Sequence, residues 1–171
     1  MAQMSDKLNA VISDQIQREI GSAYFYLALS AQCETMNFKG AASWLRFQWE
    51  EELVHALKMV DFVNDRGNAV AFKEIGAPSG SFDSLLAMFQ NVLEHEQNVS
   101  LAINKLYGLA MAEQDFAAQA FLQWFVTEQV EEESAAGDIV ESLRLAGSDS
   151  SMLLMIDQQL GTRTLTDEGS A

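Results

Sequence analysis

The sequence holds one cysteine, Cys33, and one proline, Pro78, among 171 residues. A lone cysteine excludes an intrachain disulfide and a Cys-x-x-Cys metal site, and it fits a reducing, cytoplasmic location. With a single proline and only ten glycines, long stretches of Ala, Leu, Glu, Gln and Met run uninterrupted. Those residues lose least on entering a helix, so the composition predicts an all-α fold. Basic residues are scarce as well: ten Lys and Arg stand against 25 Asp and Glu, a formal charge of −15. That charge repels phosphate backbones, so no nucleic-acid partner is expected, and it enriches cations near the surface. Long hydrophobic runs are missing too. The longest uncharged run, Ile20 to Cys33, is short of a bilayer span, and the opening Met-Ala-Gln-Met-Ser-Asp-Lys lacks the basic-then-apolar layout of a signal peptide. No membrane association is expected.

The chain length suits one domain over residues 1–171, with a core that needs no disulfides. Apolar residues recur at three- and four-residue spacing over roughly residues 6–36, 39–66, 82–112 and 115–146, which predicts four long amphipathic helices. Residues 67–81 include Gly67, Asn68, Gly76, Pro78 and Gly80, too many breakers for a helix and enough chain to span a bundle. The connections near Asn37 and Gln114 are short, so the first pair and the last pair of helices must be antiparallel neighbours. The expected architecture is two antiparallel helical hairpins joined by a long crossover, a four-helix bundle. Ser148-Asp149-Ser150 can cap a short fifth helix at about 149–160, carrying Met152, Leu153, Ile156 and Leu160. This helix is expected to make an oligomer contact, with packing on its own bundle end as the alternative, and the tail 161–171 is expected to be disordered.

Carboxylates interrupt the apolar stripes. The second helix reads Leu45, Trp49, Glu52, Ala56, Met59, Val63, and the third reads Phe89, Val92, Glu96, Val99, Ile103. In the first, Glu19 follows Ile12 and Ile16; in the fourth, Gln129 and Glu132 lie between Phe125 and Ala136. An unpaired carboxylate in an apolar interior costs several kcal/mol, so one per helix in every helix points to a shared cation. The spacing repeats: Glu19 to Glu52 is 33 residues, and Glu96 to Gln129 is 33 again. In that register Glu52-x-x-His55 corresponds to Gln129-x-x-Glu132, and residues three apart project to one side of a helix. Oxygen and imidazole donors suit Fe(II), Mn(II) or Zn(II). Glu19, Glu52 and His55 are assigned to one metal, Glu96 to the other with Glu52 bridging, and Gln129 and Glu132 complete the second half more weakly. Tyr26 lies two turns after Glu19 on the same face. Its hydroxyl either hydrogen-bonds a ligand or supplies an electron, or the side chain simply fills space. Glu51, Glu128 and Glu131 form either a third cation site or a solvated acidic face. His95, next to Glu96, is expected to point to solvent.

Two segments, Trp44-Leu-Arg-Phe-Gln-Trp-Glu-Glu-Glu-Leu-Val-His55 and Phe121-Leu-Gln-Trp-Phe-Val-Thr-Glu-Gln-Val-Glu-Glu-Glu133, resemble the signature segments of bacterial and archaeal non-haem ferritins, and the likeness spans nearly the whole chain. The resemblance implies a hollow shell, typically of 24 subunits, that stores ferric oxide. It also implies an intrasubunit di-iron ferroxidase centre that oxidises Fe(II) with oxygen or peroxide. On this resemblance Glu19, Glu52, His55, Glu96 and Gln129 match the ferroxidase ligands and Tyr26 the neighbouring tyrosine. Glu51, Glu128 and Glu131, together with Glu132, match a third iron site. Bacterioferritins place a haem-ligating Met directly after the first Glu of the second helix; here Leu53 stands there, so no haem is expected. Two other functions compete: a di-metal oxygenase or peroxidase acting on an organic substrate, which would want Glu-x-x-His on both hairpins, and a non-enzymatic helical oligomer whose acids are merely solvated.

Overall fold

The computed structural model describes residues 3–78 and 80–163. Among the described residues there are five helices and no strand: α1 Asp6–Thr35, α2 Lys39–Asp65, α3 Leu85–Ala112, α4 Phe116–Ala146 and α5 Ser150–Leu160. Helix α1 packs along α2 and α3 along α4, and the two hairpins meet through α1 and α3. The hairpin bends are built alike. Phe38 N donates to Cys33 O and Asp115 N donates to Ala110 O, both at 3.0 Å. The residues between, Asn37 and Gln114, take the left-handed conformation with φ of 65° and 57°, the geometry that closes a helix on its own last carbonyls.

The crossover climbs α1. Asn9 Nδ2 donates to Ala69 O at 3.1 Å, Ala71 N to Ser13 Oγ at 3.2 Å, Gln17 Nε2 to Glu74 O at 3.0 Å and Gln32 Nε2 to Phe82 O at 2.8 Å. Asn9, Ser13 and Gln17 are spaced one turn apart, so one polar stripe of α1 guides the first part of the connection, and Gln32 holds its end. The crossover runs further than the sequence pattern predicts, because α3 starts at Leu85 rather than near residue 82. Phe82 is apolar for another reason: it packs on the core from the end of the crossover, and Ser84 is the residue that starts the helix, accepting from Ala87 N at 3.1 Å.

Ser5, Asp115 and Asp149 likewise cap their own helices, α1, α4 and α5. Helix α2 has no such residue, since Phe38 stands at its cap position. Its cap arrives from α5 instead: Asp157 Oδ1 accepts from Ala41 N at 2.8 Å. Gly40 makes the approach possible, because a Cβ there would lie 1.6 Å from the Asp157 carbonyl oxygen. Leu153, Ile156 and Leu160 complete the docking against the core. Helix α5 therefore packs on its own bundle end through one face, as the alternative reading had it, while Met152, Leu154 and Met155 face outward. The tail expectation also changes. Residues 161–163 fold back against the end of α5 through Gly161 N to Asp157 O, Thr162 N to Gln159 O and Arg163 N to Leu160 O; residues 164–171 lie outside the described residues.

The core is not continuous. One apolar cluster gathers Leu29, Cys33, Leu45, Met88, Phe89 and Leu143; the other gathers Leu8, Ile12, Ile16, Met59, Ile103 and Leu122. Glu19, Glu52, His55, Glu96, Gln129 and Glu132 are all buried, and by position along the four helices they form a polar belt between the two clusters.

Candidate metal centre

Each belt residue occupies a position that helix periodicity turns inward, so folding the apolar stripes forces the acids inside with them. Glu19 from α1 and Glu52 and His55 from α2 present one ligand atom each, all within 4.8 Å of one another. Glu52 Oε2 stands 3.7 Å from His55 Nδ1 and has no hydrogen-bond partner. Glu19 is held from below, where Gln15 Nε2 donates to its Oε1 at 2.7 Å.

Glu96 is arranged differently. The Tyr26 hydroxyl donates to its Oε1, and Gln129 Nε2 donates to its Oε2 at 3.1 Å. Gln129 is itself steadied by Ser100 Oγ at 3.2 Å. Tyr26 is therefore more than a space filler, since its polar tip ends on a belt carboxylate. Glu132 accepts from Gln48 Nε2 at 2.7 Å. The tight group of Glu19, Glu52 and His55 does not include Glu96 or Glu132, which lie on the facing hairpin.

Burial sets the electrostatics. It is the largest cause of a raised pKa at Glu52, followed by the adjacent Glu19 carboxylate, with which a protonated Glu52 would share a hydrogen bond. Burial also pushes Glu96 to about 7 against the lowering pull of Tyr26 and Gln129. Glu132 rises to about 8, through burial and then Glu96 and Glu51. Tyr26 is raised well above the ordinary phenol, by burial first and then by Glu96 and Glu52. A cavity-like interior that raises several carboxyls together is short of positive charge. A divalent cation would supply it, and the orphaned Glu52 oxygen beside an imidazole is a donor set that fits one.

Glu51, Glu128, Glu131 and Glu132 come together on the rim of a cavity of about 450 Å³. They do so with company the sequence did not announce. Arg163 Nη2 donates to both Glu51 oxygens, at 2.9 and 2.7 Å, and Nη1 donates to Gln48 Oε1. His95 also differs from expectation. It is half-buried, stacked on Phe25 with ring centroids 4.5 Å apart, and its Nε2 lies 2.8 Å from Ser22 Oγ. Burial lowers its pKa to about 4, so it is a neutral strut between α1 and α3. Gln15 and Gln48 were missed by sequence reasoning, yet a signal existed. Each stands one turn before a belt glutamate, Glu19 and Glu52, at an inward position.

Comparison with known proteins gives a consistent answer. Residues 9–146 match the ferritin-like domain family. The chain is similar to the bacterial non-heme ferritin of Staphylococcus aureus strain MRSA252, 34% identical over 165 residues that cover 96% of this chain and 99% of the relative. Among solved structures, a novel open pore ferritin from the hyperthermophilic archaeon Archaeoglobus fulgidus superposes with a TM-score of 0.93 at 47% identity, covering 95% of this chain and 100% of that one. An engineered closed form of the Archaeoglobus fulgidus ferritin gives 0.94 at 47% identity, with 96% and 100% covered.

Proposed function

The chain belongs to the ferritin family, whose members store iron, and on that premise we propose that it oxidises Fe(II) at an intrasubunit di-iron ferroxidase centre. In this reading Glu19, Glu52 and His55 take one ferrous ion, and Glu96 with Gln129 takes the other, Glu52 bridging. Each ion gives up one electron to oxygen or peroxide. The observation that carries the reading is Glu52 Oε2, buried beside His55 and without a hydrogen-bond partner. A group that costs free energy when left unmatched gains most from a bound cation.

Glu96 would meet its ion through a carboxylate already oriented by Tyr26 and Gln129. Gln129 donates less charge than a carboxylate, so the second ion is held more loosely and leaves more readily once oxidised. Tyr26 is placed to supply an electron beside that ion. Glu51, Glu128 and Glu131, with Glu132, form a third iron position on the way to storage. The product is a ferric oxide mineral inside a cytoplasmic shell of 24 copies, each chain acting as one ferritin-like domain. Exposed Met152, Leu154 and Met155 on α5 support burial of that face in an assembly. No helix among the described residues is long and apolar enough to cross a membrane.

The test is a count. Fe(II) is added anaerobically to purified metal-free protein, oxygen is admitted, and the irons oxidised per chain in the fast phase are recorded. About two per chain is expected of a paired site. A fast phase no quicker than the buffer rate would sink the ferroxidase assignment.

A further inference from the structure

Arg163 stands just beyond α5, and the paired centre makes no use of it. One guanidinium nitrogen, Nη2, donates to both oxygens of Glu51 while Nη1 donates to Gln48, so the group's charge is held on a carboxylate by charge-assisted hydrogen bonds. The same group lies over the Trp44 ring, 5.1 Å from its centroid. Gln48 carries the contact inward, since its amide donates to Glu132 Oε2 at 2.7 Å. One hydrogen-bonded chain thus runs from Arg163 to a buried belt acid.

The arm that delivers Arg163 is fixed at its base. Asp157 caps α2, Gly40 lets the backbones meet, and residues 161–163 turn back on α5 through three backbone bonds. Arg163 also sits where two cavities adjoin. It lines the acidic one of about 450 Å³ with Glu51, Glu128 and Glu131, and a second of about 340 Å³ with Trp44, Ile139 and Ile156. Among the described residues that line the acidic cavity, the only cationic side chain is therefore a tethered one, and it is already on Glu51.

We propose that Arg163 is a built-in competitor for the third cation position: a divalent ion takes Glu51 together with Glu128 and Glu131 only as the guanidinium leaves. The inference rests on the reading of that acidic face as an iron position. It adds a threshold, because low concentrations of divalent ion fill the paired centre while Arg163 keeps the third position closed. Departure of Arg163 also loosens the 161–163 arm, so occupancy at the acidic face changes the order of residues 161–163.

The experiment compares metal-free wild type with Arg163→Gln, full length, titrated with Zn(II) by calorimetry while hydrogen exchange follows the peptide spanning 159–163. Two tight equivalents per chain are expected in both proteins. The third should bind about 10-fold more tightly in Arg163→Gln, the scale of one lost charged contact. In wild type, exchange across 161–163 should rise with the third equivalent and stay level through the first two. Equal third affinities, no third equivalent in Arg163→Gln, or an arm whose exchange ignores the third ion would each overturn the proposal. If the two tight equivalents were missing from both proteins, the paired centre would fall, while the third-ion comparison would still decide the role of Arg163.

Discussion

The first hairpin brings Glu19 and Glu52 together with His55, whereas the second brings Glu96 to an amide, Gln129, and carries Glu132 where the first has its histidine. The bends match, the 33-residue spacing matches, and the difference lies in how each half satisfies its own acids. Glu96 has the Tyr26 hydroxyl and the Gln129 amide, and Glu132 has Gln48. On the first hairpin one oxygen of Glu52 has nothing. One half thus leaves a carboxylate oxygen unmatched, and the other satisfies its acids within the protein. On the proposed paired-metal reading, that contrast would give the two positions unequal strength within a repeated scaffold.

The most forceful way to break the comparison is to delete each half in turn. Glu52→Ala with His55→Ala should slow fast Fe(II) oxidation, followed by stopped-flow absorbance, by more than about 100-fold, beyond the range seen when only outer partners of a metal site are lost. Gln129→Ala should slow it by about 10-fold. Equal losses would mean the two halves contribute alike.

Acidity probes the second half more gently. Glu96 rises to about 7 and Glu132 to about 8, with burial the leading cause, and Glu52 is raised as well. In the unfolded chain such groups ionise near pH 4. Between those values the folded protein holds more protons than the unfolded one, so stability is full at the acidic end and is lost as pH rises through the folded pKa values. The metal-free protein should therefore melt about 5–10 °C lower at pH 8 than at pH 5.5, and saturating Zn(II) should remove most of the difference. A melting temperature that did not fall over this range would show that the belt acids are already neutralised by other means.

The smallest effects come from the helix starts. Asp115→Ala removes the α4 cap and the two-bond pairing with Arg66 at 2.9 and 2.8 Å, while Asp157→Ala removes only the α2 cap. A cap contributes about 1 kcal/mol, so calorimetry should show a drop of about 2–4 °C for Asp157→Ala and roughly twice that for Asp115→Ala. The reverse order would mean α5 docking matters more than the pairing that closes the far end of the bundle.

Much of this was legible in the sequence because it is written at helical spacing. Glu19, Glu52, Glu96 and Gln129 fall inside apolar stripes, and a stripe that recurs every three or four residues locates its own interior. Phe82 misled for the same reason: an apolar residue just before a stripe reads as part of it, although it packs from an extended segment. Asp157, Arg163 and His95 were beyond such reading. Asp157 meets Ala41 across 116 positions and Arg163 meets Glu51 across 112, and no local period encodes a partner so remote. The environment of His95 is likewise set by Ser22 and Phe25 on another helix. Helix register gave the belt; tertiary docking gave what surrounds it.

The cap that α2 receives from α5 also sets an order of events at the ribosome. The α4 cap is made three residues from the amide it serves, whereas the α2 cap must wait for a residue 116 positions downstream. At about 5–20 residues per second, the first hairpin emerges and then waits about 6–23 s for the carboxylate that finishes it. The half of the bundle synthesised first is thus the last to be completed, and a chain truncated before Asp157 would leave its oldest helix permanently unfinished.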